Sequence, residues 1–509
     1  MSAADPDTIV IGAGPNGLVA ANRLADAGLR VLVCEQHPTR LGGACATEDG
    51  AAAGTRAGFL HDVGAGFFPF NQASPAFAAL DLAAHGLGWA HAPIQSCHPA
   101  PSGAAASIHR DDDATAASLG GRDGDRWRDL LRWHRDREPR LMRALLGPLP
   151  GLGAKLALGP LGLLRLARIA LGTTAGLGRR LFTAEPARRL FCDLALHVDL
   201  GPDDPFGAAL GYMLAATAAT GGNAVPVGGA GAITAALARR LEAKGGAVRL
   251  SAAVERIVVD GGAARAVVLA DGEVIESRRI LADTGAPALL LRLLPEDAVP
   301  ARIRRAMRRF RWGWGTFKLD WALAGPVPWS SADARRAAVV HVADSVDDLR
   351  RFTAEVRGGA LPAAPFLVVG QQSLADPSRA PAGQHTLWAY SRVPPRVEGG
   401  WSAARERFAD RVEARIEAHA PGFRSLILAR RAVSPPDLEA FDPNLVGGDL
   451  GGGSNHWRNQ LVLRPVFPYF RYTTPVRGVY LASSYAHPGA GVHGMCGWNA
   501  AGVALERQP

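Results

Sequence analysis

The chain has 509 residues, 48% of them hydrophobic and 20% charged, which excludes a disordered protein and exceeds what one hydrophobic core serves, so two interleaved domains are expected. Its formal charge of +9 is carried by arginine, since Lys155, Lys244 and Lys318 are the only lysines; no nucleic-acid motif accompanies the charge, and it reads as the mark of an Arg-, Ala- and Gly-rich genome. Cys34, Cys45, Cys97, Cys192 and Cys496 are scattered without metal-ligand spacing, so neither a metal site nor a disulfide framework is expected, and no charge-free apolar run of about 18 residues occurs to cross a membrane.

Thr8 to Ile11 is a β-branched run that reads as a buried strand. Gly12, Gly14 and Gly17 follow it in the order G-x-G-x-x-G, with Pro15 and Asn16 between the last two, and the helix that opens there ends near Gly28. In such a motif the first glycine makes the tight turn, the second lets the backbone approach a pyrophosphate, and the third lets the helix pack close to the sheet with its amides toward the phosphates. Leu29 to Cys34 is the second strand, closed by Glu35, whose carboxylate can accept both hydroxyls of an adenosine ribose and would repel a 2′-phosphate. Gln36 follows, then Arg40, Leu41, Gly42, Gly43 and Ala44 add a cation and two glycines beyond the acid. A bound adenine dinucleotide is predicted.

Phe59 to Gly66 reads as a strand ending in glycines, of which Gly64 and Gly66 would allow close approach of a cofactor ring. The pair His61 and Asp62 reads as a self-satisfied strand end ahead of a catalytic pair. Pro99 to Ser107 is a Gly/Ala/Ser-rich patch, and Arg122 to Arg140 a solvated charged run. Residues 139–184 then carry no acid, while arginines and Lys155 punctuate Leu, Gly, Ala and Ile. Arg165 and Arg168 share one edge of an otherwise apolar helix, which suits either a lid on the protein or an interfacial helix on anionic lipid. Pro226 to Gly231 precedes a helix from Ile233 to Lys244; its glycines mimic a second nucleotide fingerprint, but no buried strand runs into Gly228 and no acid closes the following strand. Strands at Ala247 to Leu250 and Val254 to Val259, a hairpin turn at Asp271-Gly272 and a re-entering strand at Ile280 to Thr284 come next. Trp312 to Trp329 opens a second domain with an alternating, aromatic-rich strand interrupted by Lys318. Strands at Ala338 to His341, Phe366 to Val369 and Thr386 to Tyr390 and a helix from Ser402 to His419 contain no acid–base triad and no metal motif.

The GAGPNG turn at Gly12 to Gly17, the RLGG at Arg40 to Gly43, the VPVGGAGAI at Val225 to Ile233 and the TPVRGVYLASSYAHPGAGVHGMCGWNAA at Thr474 to Ala501 together resemble the phytoene desaturase and carotene isomerase family of FAD-dependent oxidoreductases, within the amine oxidase superfamily. The resemblance implies an α/β fold: a Rossmann-type FAD-binding domain of the glutathione reductase 2 kind, discontinuous over 1–75, 225–310 and 440–509. Interleaved with it would be an α+β substrate domain over 76–224 and 311–439, carrying a mixed sheet and the helical insert 139–184. It implies FAD held by Gly12, Gly14, Pro15, Asn16, Gly17, Glu35, Gln36, Arg40, Gly42, Gly43, Ala44, Gly64, Val254, Ser483, Ser484, Gly491, Val492 and His493, with a strand ending at Ser483 and a helix from near Trp498 aiming backbone amides at the flavin.

The same resemblance implies a hydride moved from a C–H bond of a small apolar substrate to flavin N5, with oxygen or a quinone as electron acceptor. Lys318 with Pro328-Trp329 is similar to the lysine that holds a water against flavin N5 in the monoamine oxidase relatives, and His487 and His493 are the other catalytic candidates. Ser483-Ser484 and Ala490 stand where the family has glycines, which places the chain nearer the broad desaturase-like branch than the carotenoid enzymes. Three alternatives stay open: an amine or amino-acid oxidase served by Lys318 and Arg464, a redox-neutral flavin-dependent isomerase, and a non-catalytic prenyl-binding escort. Covalent flavin attachment through Cys45 or Cys496 is open as well. With its cofactor strand starting within the first ten residues, the protein is expected in the cytoplasm, soluble or peripheral at the inner face of the membrane, with self-association open and no metal or nucleic acid as partner.

Overall fold

The structure, a computed structural model, describes residues 5–70 and 73–507. Thr8–Ile11 is buried at all four positions because parallel neighbours flank it on both edges, Ile9 lying between Ile280 and Leu32. A strand covered on both faces reads as a continuous apolar run, which is why this segment was legible from composition alone. The full sheet is parallel, in the order Val479–Leu481, Ile280–Ala282, Thr8–Ile11, Val31–Cys34, Ala247–Arg249. It thus gathers the beginning, middle and end of the chain. The helix Pro15–Asp26 packs between Gly231–Ala243 and Met495–Glu506, and an antiparallel meander of Val254–Asp260, Ala263–Leu269 and Val274–Glu276 hangs beside the sheet.

The second sheet has seven strands in the order Ile427–Val433, Gly315–Leu323, His385–Val393, Leu367–Gly370, Ala337–Val342, Ile94–Pro99, Ala105–Ile108. It is mixed, since Ile94–Pro99 and Ala337–Val342 run parallel and the other pairs antiparallel. Phe317, Leu319, Trp321 and Leu387 project to one face and pack under the helix Trp401–His419 through Phe408, Val412 and Ile416. On the other face lie Val339, Val368, Trp388 and Tyr390. The Pro99 to Ser107 patch, irregular by composition, contributes to the edge strand Ala105–Ile108 and to the end of its inner neighbour Ile94–Pro99: tertiary pairing overrides the weak strand propensity of its small residues.

Residues 139–184 do not form one long helix. They fall into Glu138–Leu146, Leu152–Leu156, Gly159–Ala170 and Thr174–Leu181, interrupted at Gly147 to Gly151 and near Gly172, and no helix among the described residues is long and apolar enough to cross a membrane. Gly159–Ala170 buries Gly162 and Ile169, while Leu161 is 81% and Leu164 49% exposed. Arg165 folds back to Asp129 at 2.8 Å and over the Trp133 ring, leaving Arg168 exposed. The segment is therefore a packed layer that keeps an apolar outward edge.

Candidate functional site

One cavity of about 550 Å³ is walled by both sheets. The turn after Thr8–Ile11 forms part of it. Gly12 has φ +96°, and a Cβ on Gly17 would lie 2.2 Å from the Gly12 carbonyl oxygen, so the close crossing of turn and helix requires the bare glycine. The helix Pro15–Asp26 opens there with proline at its first position, and its N-terminal amides stand where an anion is favoured. Glu35, 8% exposed, accepts from the Ala13 amide through Oε2 and from the His37 amide through Oε1, both at 2.8 Å. Those bonds aim the carboxylate and use one lone pair per oxygen, leaving the others for ligand hydroxyls. Arg40 donates to Glu48 at 2.8 Å and lies over the Phe441 ring, so its cation is positioned from two sides.

All residues expected at the cofactor line this cavity except Gly17 and His493. Gly17 sits just behind the wall, its amide bonded to Asp283 Oδ2 at 2.8 Å. The second glycine cluster serves no phosphate: at the start of Gly231–Ala243, the Ala230 amide bonds Asp62 and the Gly231 amide bonds Thr47. Asp62 also receives Arg379 at 3.0 Å, in a fully buried pair.

The three catalytic candidates lie off the cavity wall. Lys318 shares a sheet face with Tyr390, its register partner, yet its ammonium turns to Asp320, two residues along the same strand, in a buried ion pair. A flavin-facing lysine is therefore corrected to a core ion pair. The side chain of His493 is buried against Phe70, its Nδ1 accepting from the Met495 amide at 3.0 Å. Burial, then the neighbouring His487, holds its imidazole down at about 4. His487 is also held at about 4, by burial and then by Arg464. Both are neutral packing rings near pH 7. Arg464 is committed to the Gly451, Gly452 and Ser484 carbonyls, which leaves no fork for a substrate carboxylate. Cys45 lines the cavity and Cys496 does not; burial pushes the Cys45 thiol well up and the Cys496 thiol up to about 12, so neither is primed as a nucleophile.

Several wall residues carry functional weight that the sequence did not mark. Asp283 caps the nucleotide helix from the strand Ile280–Ala282, and burial, followed by the charges of Asp442 and Glu35, raises its carboxyl to about 7 despite the Gly17 amide. Asn444 bridges the same turn by accepting from the Gly285 amide and donating to the Asp283 carbonyl. Phe67, Leu210, Leu214, Val339, Val368 and Trp388 make an apolar lining, with His197, Tyr390 and Arg392 beside it. Alternation in His385–Val393 would have shown that Trp388, Tyr390 and Arg392 share a face; no local pattern marks His197.

A parallel sheet with a glycine-turn cradle, a second mixed sheet and one cavity between them define a Rossmann-type α/β fold. Residues 10–81 match the NAD(P)-binding Rossmann-like domain family. Among curated proteins the chain is 30% identical over 55% of its length to mouse pyridine nucleotide-disulfide oxidoreductase domain-containing protein 2, of which the match spans 50%. It is 28% identical to hydroxyneurosporene desaturase of Cereibacter sphaeroides over 96% of this chain and 94% of that one, and 25% identical to a component of the limonene dehydrogenase of Castellaniella defragrans over 98% and 94%. Among solved structures, an oxidoreductase from Methanosarcina mazei superposes with TM-score 0.65 at 17% identity, covering 98% and 100% of the two chains. A putrescine oxidase redesigned in its cofactor binding superposes with TM-score 0.60 at 16%, covering 99% of each. Over nearly its whole length the chain is thus similar to a desaturase of the phytoene desaturase kind, and it shares its fold with the putrescine oxidase, in line with the resemblance carried by the motifs at its two ends and its middle. It spans about half the length of the mouse and rat relatives it matches.

Proposed function

We propose that the protein is an FAD-dependent dehydrogenase or desaturase that moves a hydride from a C–H bond of a small apolar substrate to flavin N5. The observation that carries this reading is that the nucleotide cradle and an aromatic, aliphatic chamber are parts of one cavity, Glu35 and Arg40 sharing it with Leu214, Val339 and Trp388. The residues fit FAD: Glu35 keeps free lone pairs for a ribose, and the start of Pro15–Asp26 is open to a pyrophosphate. Ser483, Ser484, Gly491 and Val492 bring backbone to the cavity ahead of the helix Met495–Glu506. Bound there, the flavin supplies the two-electron acceptor. The protein's share is to orient the substrate against Trp388 and Leu214, exclude water with that lining, and present a helix N-terminus toward negative charge.

Amine or amino-acid oxidation loses its two supports, because Lys318 is bound to Asp320 and Arg464 to carbonyls. The exposed leucines of the acid-free segment support contact with an anionic lipid surface, from which an apolar substrate and a quinone acceptor could both be drawn. The test is anaerobic mixing of the FAD-loaded protein with limonene, phytoene and putrescine while following flavin absorbance. Bleaching by a hydrocarbon supports the reading, and bleaching by the amine alone overturns it.

A further inference from the structure

Behind the cavity wall five polar side chains form one hydrogen-bonded line. Ser96 and His98 project from Ile94–Pro99, and His341 from its parallel neighbour Ala337–Val342. Asp193 lies near the end of the helix Glu185–Ala195, and His197 just beyond it. His98 Nδ1 is 2.7 Å from Asp193 Oδ2, and His98 Nε2 3.0 Å from Ser96 Oγ. Ser96 Oγ is 3.2 Å from His341 Nδ1, and His341 Nε2 is 2.7 Å from His197 Nε2. The four inner members are essentially without solvent exposure, while His197 is half-buried and lines the cavity, its ring edge-on to Tyr390. His197 Nδ1 has no hydrogen-bond partner among the described residues, yet it is not one of the fully enclosed unpartnered atoms.

Donor and acceptor roles along the line follow from one end. A carboxylate only accepts, so His98 carries its proton on Nδ1 and its bare Nε2 accepts from Ser96. The hydroxyl, its one proton spent, accepts from His341 Nδ1–H, and bare His341 Nε2 accepts from His197 Nε2–H. His197 Nδ1 is left as a free acceptor on a residue that lines the cavity. Burial disfavours an imidazolium at all three rings, with Arg392 and His98 adding to this at His197, and His98, His197 and Arg189 at His341. Such a line therefore gains by moving protons without charging any ring.

We propose that His197 is the base that removes the substrate proton in the dehydrogenation, and that His341, Ser96 and His98 are positioning residues that wire it to Asp193. This rests on the proposed function, in which the bound flavin is the oxidant. A bound flavin would supply the two-electron acceptor for the hydride of one substrate C–H bond, and the adjacent C–H would then break toward His197. That bond's electron pair becomes the second bond of the new alkene and its proton goes to His197 Nδ1. The Nε2 proton of His197 passes to His341 Nε2, the Nδ1 proton of His341 to Ser96, the hydroxyl proton to His98 Nε2, and the Nδ1 proton of His98 to Asp193. Every ring ends neutral with its tautomer reversed, and the proton rests on the carboxyl that Arg189 faces at 3.9 Å. Its return to water in the emptied cavity resets the line.

The experiment is long-range proton–nitrogen NMR of the FAD-loaded protein labelled with ¹⁵N-histidine, together with anaerobic flavin reduction by the hydrocarbons used above. Expected are the Nε2–H tautomer at His197 and the Nδ1–H tautomer at His98 and His341. Ser96→Ala should leave His98 as it is and release His197 into a mixture, and His197→Gln should slow flavin reduction about 10²–10⁴-fold at unchanged FAD content. A protonated Nδ1 or an imidazolium at His197, a His197 tautomer indifferent to Ser96→Ala, or wild-type reduction in His197→Gln would overturn the assignment while leaving the flavin reading intact. Failure of every hydrocarbon to reduce wild-type flavin overturns the functional reading and this one with it, whatever the tautomers.

Discussion

Asp283 shows how one buried carboxyl can set the behaviour of a nucleotide cradle. Burial raises it from an ordinary 3.8 to about 7 in the folded protein, so between those values the folded state binds more protons than the unfolded one, and stability falls as pH rises through that window. Asp283→Asn can still accept from the Gly17 amide through its carbonyl. We predict that the melting temperature of the apoprotein variant exceeds that of the wild type by a margin that widens from pH 5 to pH 8; a constant margin would contradict this. Glu35 serves the same cradle by geometry, its two carboxylate oxygens each aimed by one amide. Glu35→Gln replaces one acceptor oxygen by a donor, and hydrogen bonds to charged groups contribute about 1.5–3 kcal/mol, so FAD retention should weaken about 10–100-fold by equilibrium titration. Unchanged retention would count against the ribose role.

At the scale of single elements, Gly315–Leu323 was readable as a strand because aromatic and apolar residues recur at every second position through Phe317, Leu319 and Trp321. The lysine's partner was within reach of the sequence, since Lys318 and Asp320 two positions on share a strand face, but the register that sets Lys318 beside Tyr390 and off the cavity wall depends on neighbours distant in sequence. Lys318→Met should strand the Asp320 charge in the core and destabilise by about 3–5 kcal/mol in denaturant melts. Lys318→Met with Asp320→Leu should recover most of that loss, while flavin reduction in the single variant changes only by what unfolding explains. A stable, catalytically dead Lys318→Met would restore the flavin-facing lysine. The helix Gly159–Ala170 poses a different question, because its apolar edge is exposed and its Arg168 free to reach headgroups. If that edge enters a lipid surface, Leu161→Asp should lower binding to phosphatidylglycerol vesicles about tenfold or more, and equal sedimentation of variant and wild type would exclude the contact.

Over the whole molecule, the cofactor half was legible because its chemistry sits on contiguous motifs. Gly12 to Gly17, Glu35 and Arg40 to Ala44 are local in sequence, and a dinucleotide constrains each by turn geometry or close approach. The substrate half was legible as strands and helices but not as a site. Its wall is assembled from residues such as His197, Val339 and Trp388, and the line behind it joins Ser96 to His341 across 245 positions; long-range pairing of this kind leaves no spacing to find. Gathering a parallel sheet from the two ends and middle of the chain, with a mixed sheet threaded between, is what places the apolar chamber against the nucleotide turn. The account stands on that junction holding a flavin. The most direct test is the absorption spectrum of the purified protein, reconstituted with FAD and desalted, before and after acid precipitation and then under anaerobic addition of limonene or phytoene. The account predicts flavin bands in equimolar amount, FAD released into the acid supernatant, and bleaching by a hydrocarbon. Failure to retain FAD after reconstitution would contradict it at its centre.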